Sequence, residues 1–595
     1  MPQWRRRAGG PPGGIPAAWT GGRTFLLALL PPLLAGGLLR VWGVAGQVIL
    51  GDELHPIKNV VLHDLGTILT SYRGADPCIP LTAFLEVATL AGFPLTEVLL
   101  RLPALLAGIA TVVVLPFVVL PAVGRRRALL FAWFLALSPA LVFYSRIGRP
   151  YAIVALLGPC ALAAFWRFWK GGGARWGALY AVSGAAAAWF HLLAAPAVAA
   201  PLAWAGLELV VRRVRGRSSP GRDRGFASLA AAGAGLALGF AAFLVPAWPS
   251  FQAVVEAKVS GGRPDTGTLA GALVLQAGTP LPPLVVAFWA VTLLGAAVLL
   301  RERPRLAVSG AAVVALQWLA VVAVLQPTGS EHIVVIERYA LVVFPLVLLA
   351  AVAGLDRLWE GGAGRPARRW VPRGAAVAVV AGLVLGHPYV LNPALRLGPW
   401  AGSSTAKLSG TGRPPPALPG EYVSDAYRAV AATPGDGALV EVPTYPASWA
   451  TRTQLALWRL HRRPVVLASL EGWLQEPEAR RVLRLGTLVP ARPEALRPDG
   501  ARFVVLHRDR PRLVRIERAF TNGATPVKVR PSRPTNPAVR AGRTLARELR
   551  ELWGEPHLTD EQVLLWDLDR VPPLRRLRAS TSCPGRKSSS DERGS

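Results

Sequence analysis

The groups in this 595-residue chain that could do chemistry are few and lie close to the ends of apolar stretches. Asp52 and Glu53 stand together, with His55 two residues on, just after the first apolar stretch. A carboxylate placed there can accept a proton from an incoming hydroxyl or amine. The plainer use of the pair is to cap the short helix that follows, where acidic side chains favour the N-terminal dipole. Arg146, Arg149 and Arg338 are cations at helix ends, and Arg engages phosphate oxygens in a fork. Their plainer use is snorkelling to the lipid headgroups. His191 closes a later apolar stretch, and Tyr151 and Tyr339 sit where a sugar pocket or an interfacial aromatic belt would place them. Asp76 lies in the same loop as Asp52. No nucleotide-binding Gly-rich strand–loop–helix unit is present. Cys78, Cys160 and Cys583 show no metal-ligand or disulfide spacing, so no metal site and no cofactor are expected.

The elements that must position these groups are membrane helices. The chain is 52% hydrophobic and 17% charged, with a mean hydropathy of +0.37, which excludes a single soluble domain. Despite 60 Gly and 54 Pro there is no collagen period, and there is too much Val and Leu for disorder. Apolar segments near 24–43, 99–122, 128–145, 150–169, 176–191, 192–212, 226–248, 283–300, 306–326, 338–355 and 374–391 predict about eleven transmembrane helices. The first of them follows Arg5–Arg7 without a convincing cleavage site, so it reads as a helix and not as a cleaved signal.

The net charge of +31 reads as a topology signal and not as a nucleic-acid footprint. With the N-terminal tail (1–23) inside, the inner loops hold 23 Lys and Arg against about seven outside. All eight histidines and Asp52–Glu53 then fall on the outer side, so any active site faces outward. The region 392–574, after a Pro-rich stretch near Gly412–Gly420, reads as an extracytoplasmic α/β domain. Leu439–Val442, Pro464–Ala468, Phe503–Leu506 and Val563–Trp566 read as strands, and Tyr422–Ala432 and Asn536–Leu552 as helices. His507 ends one strand, where a binding residue could sit. The end, 575–595, reads as a disordered tail.

The order of several short pieces carries a resemblance. Asp52-Glu53 follows the first helix, and Asp76-Pro77-Cys78-Ile79-Pro80-Leu81 lies in the first outer loop (44–98). Arg101-Leu102-Pro103, Ser145-Arg146-Ile147-Gly148-Arg149-Pro150-Tyr151, Trp189-Phe190-His191 and Glu337-Arg338-Tyr339 come next. The stretch from about Gly51 to Pro201 resembles GT-C class membrane glycosyltransferases. Within them it is most similar to the bacterial dolichyl-phosphate-mannose protein mannosyltransferase and aminoarabinose transferase superfamily, including the Rgt-like branch. Two departures bear on sugar and acceptor: Gly148 stands where the family often has an acid, and a Pro-Pro-Leu-Tyr-like element is replaced at Asp76–Leu81.

The resemblance implies a multi-pass enzyme of the bacterial inner membrane with a GT-C-like domain over 24–391. It implies a sugar donor linked to polyprenyl phosphate, mannose being one candidate, and an acceptor outside the cytoplasm that is protein, lipid or envelope glycan. Chemistry would be a single inverting displacement with Asp52 as base and Glu53 as the second choice. His55, Asp76, Arg146, Arg149, Tyr151, His191, Arg338 and Tyr339 would contact substrate, with no obligatory metal. Two other classes compete: a transporter or lipid flippase, and a catalytically inactive envelope-assembly scaffold. A transporter needs ionisable or broken helices at mid-membrane depth. These spans are mostly Ala, Leu and Val, with polar groups gathered at one face, which favours the enzyme.

Overall fold

In a computed structural model, the described residues are 22–42, 44, 53–72, 78–93, 96–216, 225–258, 262–279, 281–327, 333–360, 374, 377, 380, 423–435, 437–442, 465–466, 501–509, 533–535, 543, 546–547, 549–551 and 553–571. They fall into two compact units. One comprises Met1–Val44, Leu65–Tyr72 and Pro77–Ser403, and the other Ala45–Asp64, Arg73–Asp76 and Ser404–Ser595.

The first unit is a helical bundle. In chain order its helices begin with α1 (Gly22–Val41). The helix α2 (Leu54–Leu62) belongs to the second unit. The bundle continues with α3 (Leu65–Thr70), α4 (Ile79–Leu90), α5 (Glu97–Val123), α6 (Arg125–Leu137), α7 (Pro139–Ser145), α8 (Tyr151–Trp169) and α9 (Ala174–Phe190). Then come α10 (Ala195–Val214), α11 (Phe226–Leu244), α12 (Trp248–Lys258), α13 (Thr266–Ala277), α14 (Pro282–Glu302), α15 (Pro304–Leu319), α16 (Ile333–Ala340) and α17 (Phe344–Glu360). Seven described helices are long and apolar enough to cross a membrane, or eight if α6 and α7 form one span bent by 57°. The predicted spans at 176–191 and 338–355 correspond to α9 and α17, each 17 residues, and the predicted span at 374–391 lies almost wholly outside the described residues.

Helix ends and breaks follow from residue chemistry. Thr96 starts α5 by accepting the Leu99 N–H at 3.2 Å. The α6–α7 bend falls at Ser138-Pro139, because Pro139 has no N–H to carry the ladder onward. The carbonyls freed there, Leu135 O and Ala136 O, accept from the fully buried Arg40 at 3.0 and 3.2 Å. The same guanidinium donates to Ser145 Oγ at 3.2 Å. Between α16 and α17 the chain passes through tight i→i−3 turns at Leu341–Phe344. Pro345 explains the break that the continuous apolar run had hidden: it cannot donate to Leu341 O, and its ring crowds that carbonyl.

The helices pack through small residues. A Cβ built on Gly354 would meet Val291 O and one on Gly295 would meet Ala350 O, both far inside contact distance, so α14 and α17 cross backbone to backbone. At one end of this pair a charge network closes the bundle. Arg127 Nε contacts Asp356 at 2.7 Å and its two terminal nitrogens reach Glu302, while Arg126 reaches Asp356 at 2.9 Å and Glu360 at 3.1 Å.

The second unit carries a five-stranded sheet. Strands β1 (Ala438–Val442), β2 (Val465–Val466), β3 (Ala501–His507), β4 (Leu558–Thr559) and β5 (Val563–Asp567) lie in the order β2-β1-β3-β5-β4. The first three are parallel and the last two antiparallel to their neighbours. The helix α18 (Asp425–Ala432) is capped by Ser424, whose Oγ accepts the Ala426 N–H at 3.1 Å. Its Tyr427 and Val430 pack on Leu439, Phe503, Val505 and Leu565. Most of the predicted helix at 536–552, including Asn536, lies outside the described residues, and its described residues are helical.

Candidate active site

A cluster of aromatic rings and arginines forms where α8 begins, α9 ends and α16 runs past them. The His191 ring lies 5.5 Å from Tyr151 and 5.3 Å from Tyr339, and Tyr151 meets Tyr144 edge-on at 5.2 Å. The Arg338 guanidinium stands over Tyr339 at 5.1 Å and over Tyr151 at 5.6 Å. The charges that act on His191 are those of Arg149 and Arg338. His191 and Arg149 are buried, and Arg338 and Tyr339 are half-buried. Four residues named from the sequence as substrate contacts (Tyr151, His191, Arg338, Tyr339) are thus brought together, with Arg149 beside them.

The local chain explains why the cluster forms. Pro150 precedes α8, so Tyr151 starts that helix from a turn. His191 leaves the helix in extended backbone before a short 3₁₀ turn at Leu192–Ala194. That break frees backbone groups inside the bundle, and Gln317 of α15 takes them. Its amide oxygen accepts from Ala197 N at 3.0 Å, and its nitrogen donates to Leu193 O at 2.8 Å and to Tyr339 O at 2.9 Å. One fully buried amide therefore ties the His191 turn to the Arg338–Tyr339 helix.

The arrangement suits an anion. Arg338 donates to the Tyr339 hydroxyl oxygen at 3.2 Å, which leaves that hydroxyl's own hydrogen for another acceptor. A guanidinium held over rings stays charged, and it recognises a phosphate through its N–H edge. Glu337 is fully buried with no well-formed hydrogen bond among the described residues; its neighbours are the Tyr144 hydroxyl and Arg338. Glu337 and Tyr144 were only flanking letters in the sequence motifs, and Gln317 carried no signal beyond being a lone amide in an apolar span.

Arg146 is fully buried and donates to Leu39 O, Arg40 O and Trp42 O at 3.1, 2.9 and 2.6 Å. It closes the C-terminal carbonyls of α1, groups that have no partner within the helix, and it is not exposed as a headgroup anchor would be. Glu53 and His55 belong to the second unit. Glu53 occupies the N-cap position of α2 but makes no capping hydrogen bond with its side chain. Asp52 and Asp76 lie outside the described residues. His507 is buried, with its Nε2 3.1 Å from the Tyr427 hydroxyl. No group of three or more His, Cys, Asp or Glu that could hold a metal ion occurs among the described residues.

No protein-family model matches the sequence, and no curated protein matches it. Among solved structures, the chain is similar to the arabinofuranosyltransferase AftD from Mycobacteria, with 18% identity over 83% of this chain and a TM-score of 0.44. It spans only 36% of that protein's length. It is similar to ArnT from Cupriavidus metallidurans bound to undecaprenyl phosphate, with 15% identity, 82% of this chain, 93% of the other and a TM-score of 0.46. It is also similar to the Archaeoglobus fulgidus oligosaccharyltransferase in complex with Zn and sulfate, with 12% identity, 80% of this chain, 67% of the other and a TM-score of 0.39. These three solved structures are of GT-C glycosyltransferases.

Proposed function

We propose that this chain is an integral membrane glycosyltransferase that moves a sugar from a polyprenyl-phosphate donor to an acceptor outside the cytoplasm. The observation that carries the reading is the cluster of Arg338, Arg149, Tyr339, Tyr151 and His191 within the helical bundle. Ionisable groups within a membrane bundle are costly; Arg40 and Arg146 bond backbone carbonyls, whereas here two arginines gather around one histidine and two tyrosines. In the proposed reaction the acceptor oxygen attacks the anomeric carbon and the bond from that carbon to the phosphate oxygen breaks. The electron pair leaves with the polyprenyl phosphate, and the acceptor's proton passes to Asp52. Arg338 and Arg149 stabilise the departing phosphate, as preorganised donors do for developing charge. Tyr151 and Tyr339 flank the sugar, and the configuration inverts. Mannose is the first sugar to test.

The proposed setting is a bacterial inner membrane with the N-terminus inside and 392–574 outside, on the arginine asymmetry. The test uses the purified full chain in lipid nanodiscs, supplied with polyprenyl-phosphate mannose, its aminoarabinose and arabinofuranose counterparts, or nucleotide sugars. Transfer or hydrolysis from a lipid-linked donor, and none from nucleotide sugars, is the expected result. Transfer from a nucleotide sugar without a lipid intermediate would overturn it. So would movement of the lipid-linked sugar across the bilayer with no bond broken, which is the flippase outcome.

A further inference from the structure

A cavity lies in the bundle away from the Arg338 cluster. It encloses about 670 Å³ between α5, α6, α8, α14, α15 and α17, within the range of small-molecule sites. Its wall on α14 runs from Trp289 to Arg303, a rise of about 21 Å at 1.5 Å per residue. Half of a typical hydrocarbon core is about 15 Å. With the α14–α15 turn placed at a membrane face, a wall of this length reaches past the midplane. None of the Arg338-cluster residues lines it. Between the two, Val342 packs onto Gly158 so closely that a Cβ there would lie 2.6 Å from Val342 Cγ2.

The cavity is apolar except near one end. Arg303 lines it in the α14–α15 turn, is exposed, and forms no ion pair among the described residues, whereas neighbouring Arg305 pairs with Glu208. Arg301 is likewise exposed and outside any ion pair there. Trp166 also lines the cavity, close to the end of α8. Its indole N–H is buried and has no acceptor among the described residues. A membrane molecule that matches the apolar wall and Arg303 has an apolar chain and an anionic head. We propose that the cavity binds an anionic phospholipid of the leaflet at the Arg303 face, the cytoplasmic leaflet under the arginine asymmetry. One acyl chain lies in the cavity, and the phosphate lies at Arg303.

The test is retention of lipid by the purified full chain. After extensive detergent washing, extracted lipids are measured by mass spectrometry, and phosphatidylglycerol, phosphatidylethanolamine and polyprenyl phosphate are titrated back by native mass spectrometry. A stoichiometric phospholipid with preference for phosphatidylglycerol is expected. Gly310→Leu points its new side chain into space that a Cβ meets empty, so it takes up part of the cavity without a backbone clash and should weaken retention. Arg303→Gln changes only an exposed side chain and should bring the two phospholipids to parity. The proposal fails if no phospholipid is retained, if Gly310→Leu retains it fully, if Arg303→Gln keeps the preference, or if polyprenyl phosphate alone is held. None of these outcomes depends on glycosyl transfer, so the site stands or falls apart from the catalytic reading.

Discussion

Replacing Gln317 by Leu keeps the bulk of the side chain and removes all three of its hydrogen bonds. Ala197 N–H, Leu193 O and Tyr339 O then lose a buried partner together. In a soluble core an unsatisfied buried group costs about 1–3 kcal/mol. Interhelical hydrogen bonds in membranes average about 0.6 kcal/mol and reach about 1.7, because polar groups find other partners there. Three such losses sum to about 2–5 kcal/mol, and the leucine recovers some of it through packing, leaving about 2–4 kcal/mol. Thermal unfolding in mild detergent, followed by tryptophan fluorescence, measures the stability. Titration with polyprenyl phosphate measures the effect on Tyr339, which should bind its ligand less tightly once its carbonyl is released. Gln317→Met, with a more adaptable apolar chain, should behave in the same way. A loss below about 0.5 kcal/mol in both variants, the scale of an inert surface change, with ligand binding unaltered, would refute the claim that this amide holds the cluster together.

Asp52→Asn should abolish transfer with membrane insertion and donor binding near normal, since loss of a positioned base costs about 10²–10⁴-fold in rate. Glu53→Gln should be milder in the same assay, and the reverse ranking moves the base to Glu53. Gly354→Val should destabilise the bundle by about 1–3 kcal/mol or more, because the added atoms meet Val291 backbone and not a movable side chain, and detergent melting curves measure this. In the sheet unit, burial and then Arg570 hold His557 below its ordinary pKa against the pull of Asp567, and its Nδ1 accepts from Asp567 N at 3.1 Å. A depressed histidine contributes stability that is complete above about pH 6.5 and declines as acid protonates the unfolded chain first. The unfolding temperature should therefore fall more between pH 7.5 and 5 in the wild type than in His557→Gln.

The sheet was legible because its strands are short apolar runs: those predicted at Leu439–Val442, Phe503–Leu506 and Val563–Trp566 appear as β1, β3 and β5. The two-residue β4 has no such run and was not foreseen. Hydropathy located the long helices but not their breaks, since Leu341–Val343 is as apolar as the residues around it; Pro345 was the only signal. For the site, residue type pointed to Arg338, Tyr339, Tyr151 and His191 but not to what holds them. Arg40 and Gln317 are polar residues inside predicted spans, and the sequence gives no sign of what they bond. Their roles depend on carbonyls freed by breaks far away in the chain, such as Leu135 and Ala136 for Arg40, and a linear pattern does not reveal those.

The charge network at Arg127 sets a schedule for biogenesis. Glu302 and Asp356 follow Arg127 by 175 and 229 residues. Ribosomes add about 5–20 residues per second. Helices that enter the bilayer in order of synthesis therefore leave Arg127 waiting about 10–45 s for its carboxylates. During that interval it must be neutralised by water and acidic headgroups at the membrane face, with the early helices held only by their own packing. Cells depleted of anionic lipid should then accumulate protease-sensitive, half-assembled chains, even where the finished protein is stable.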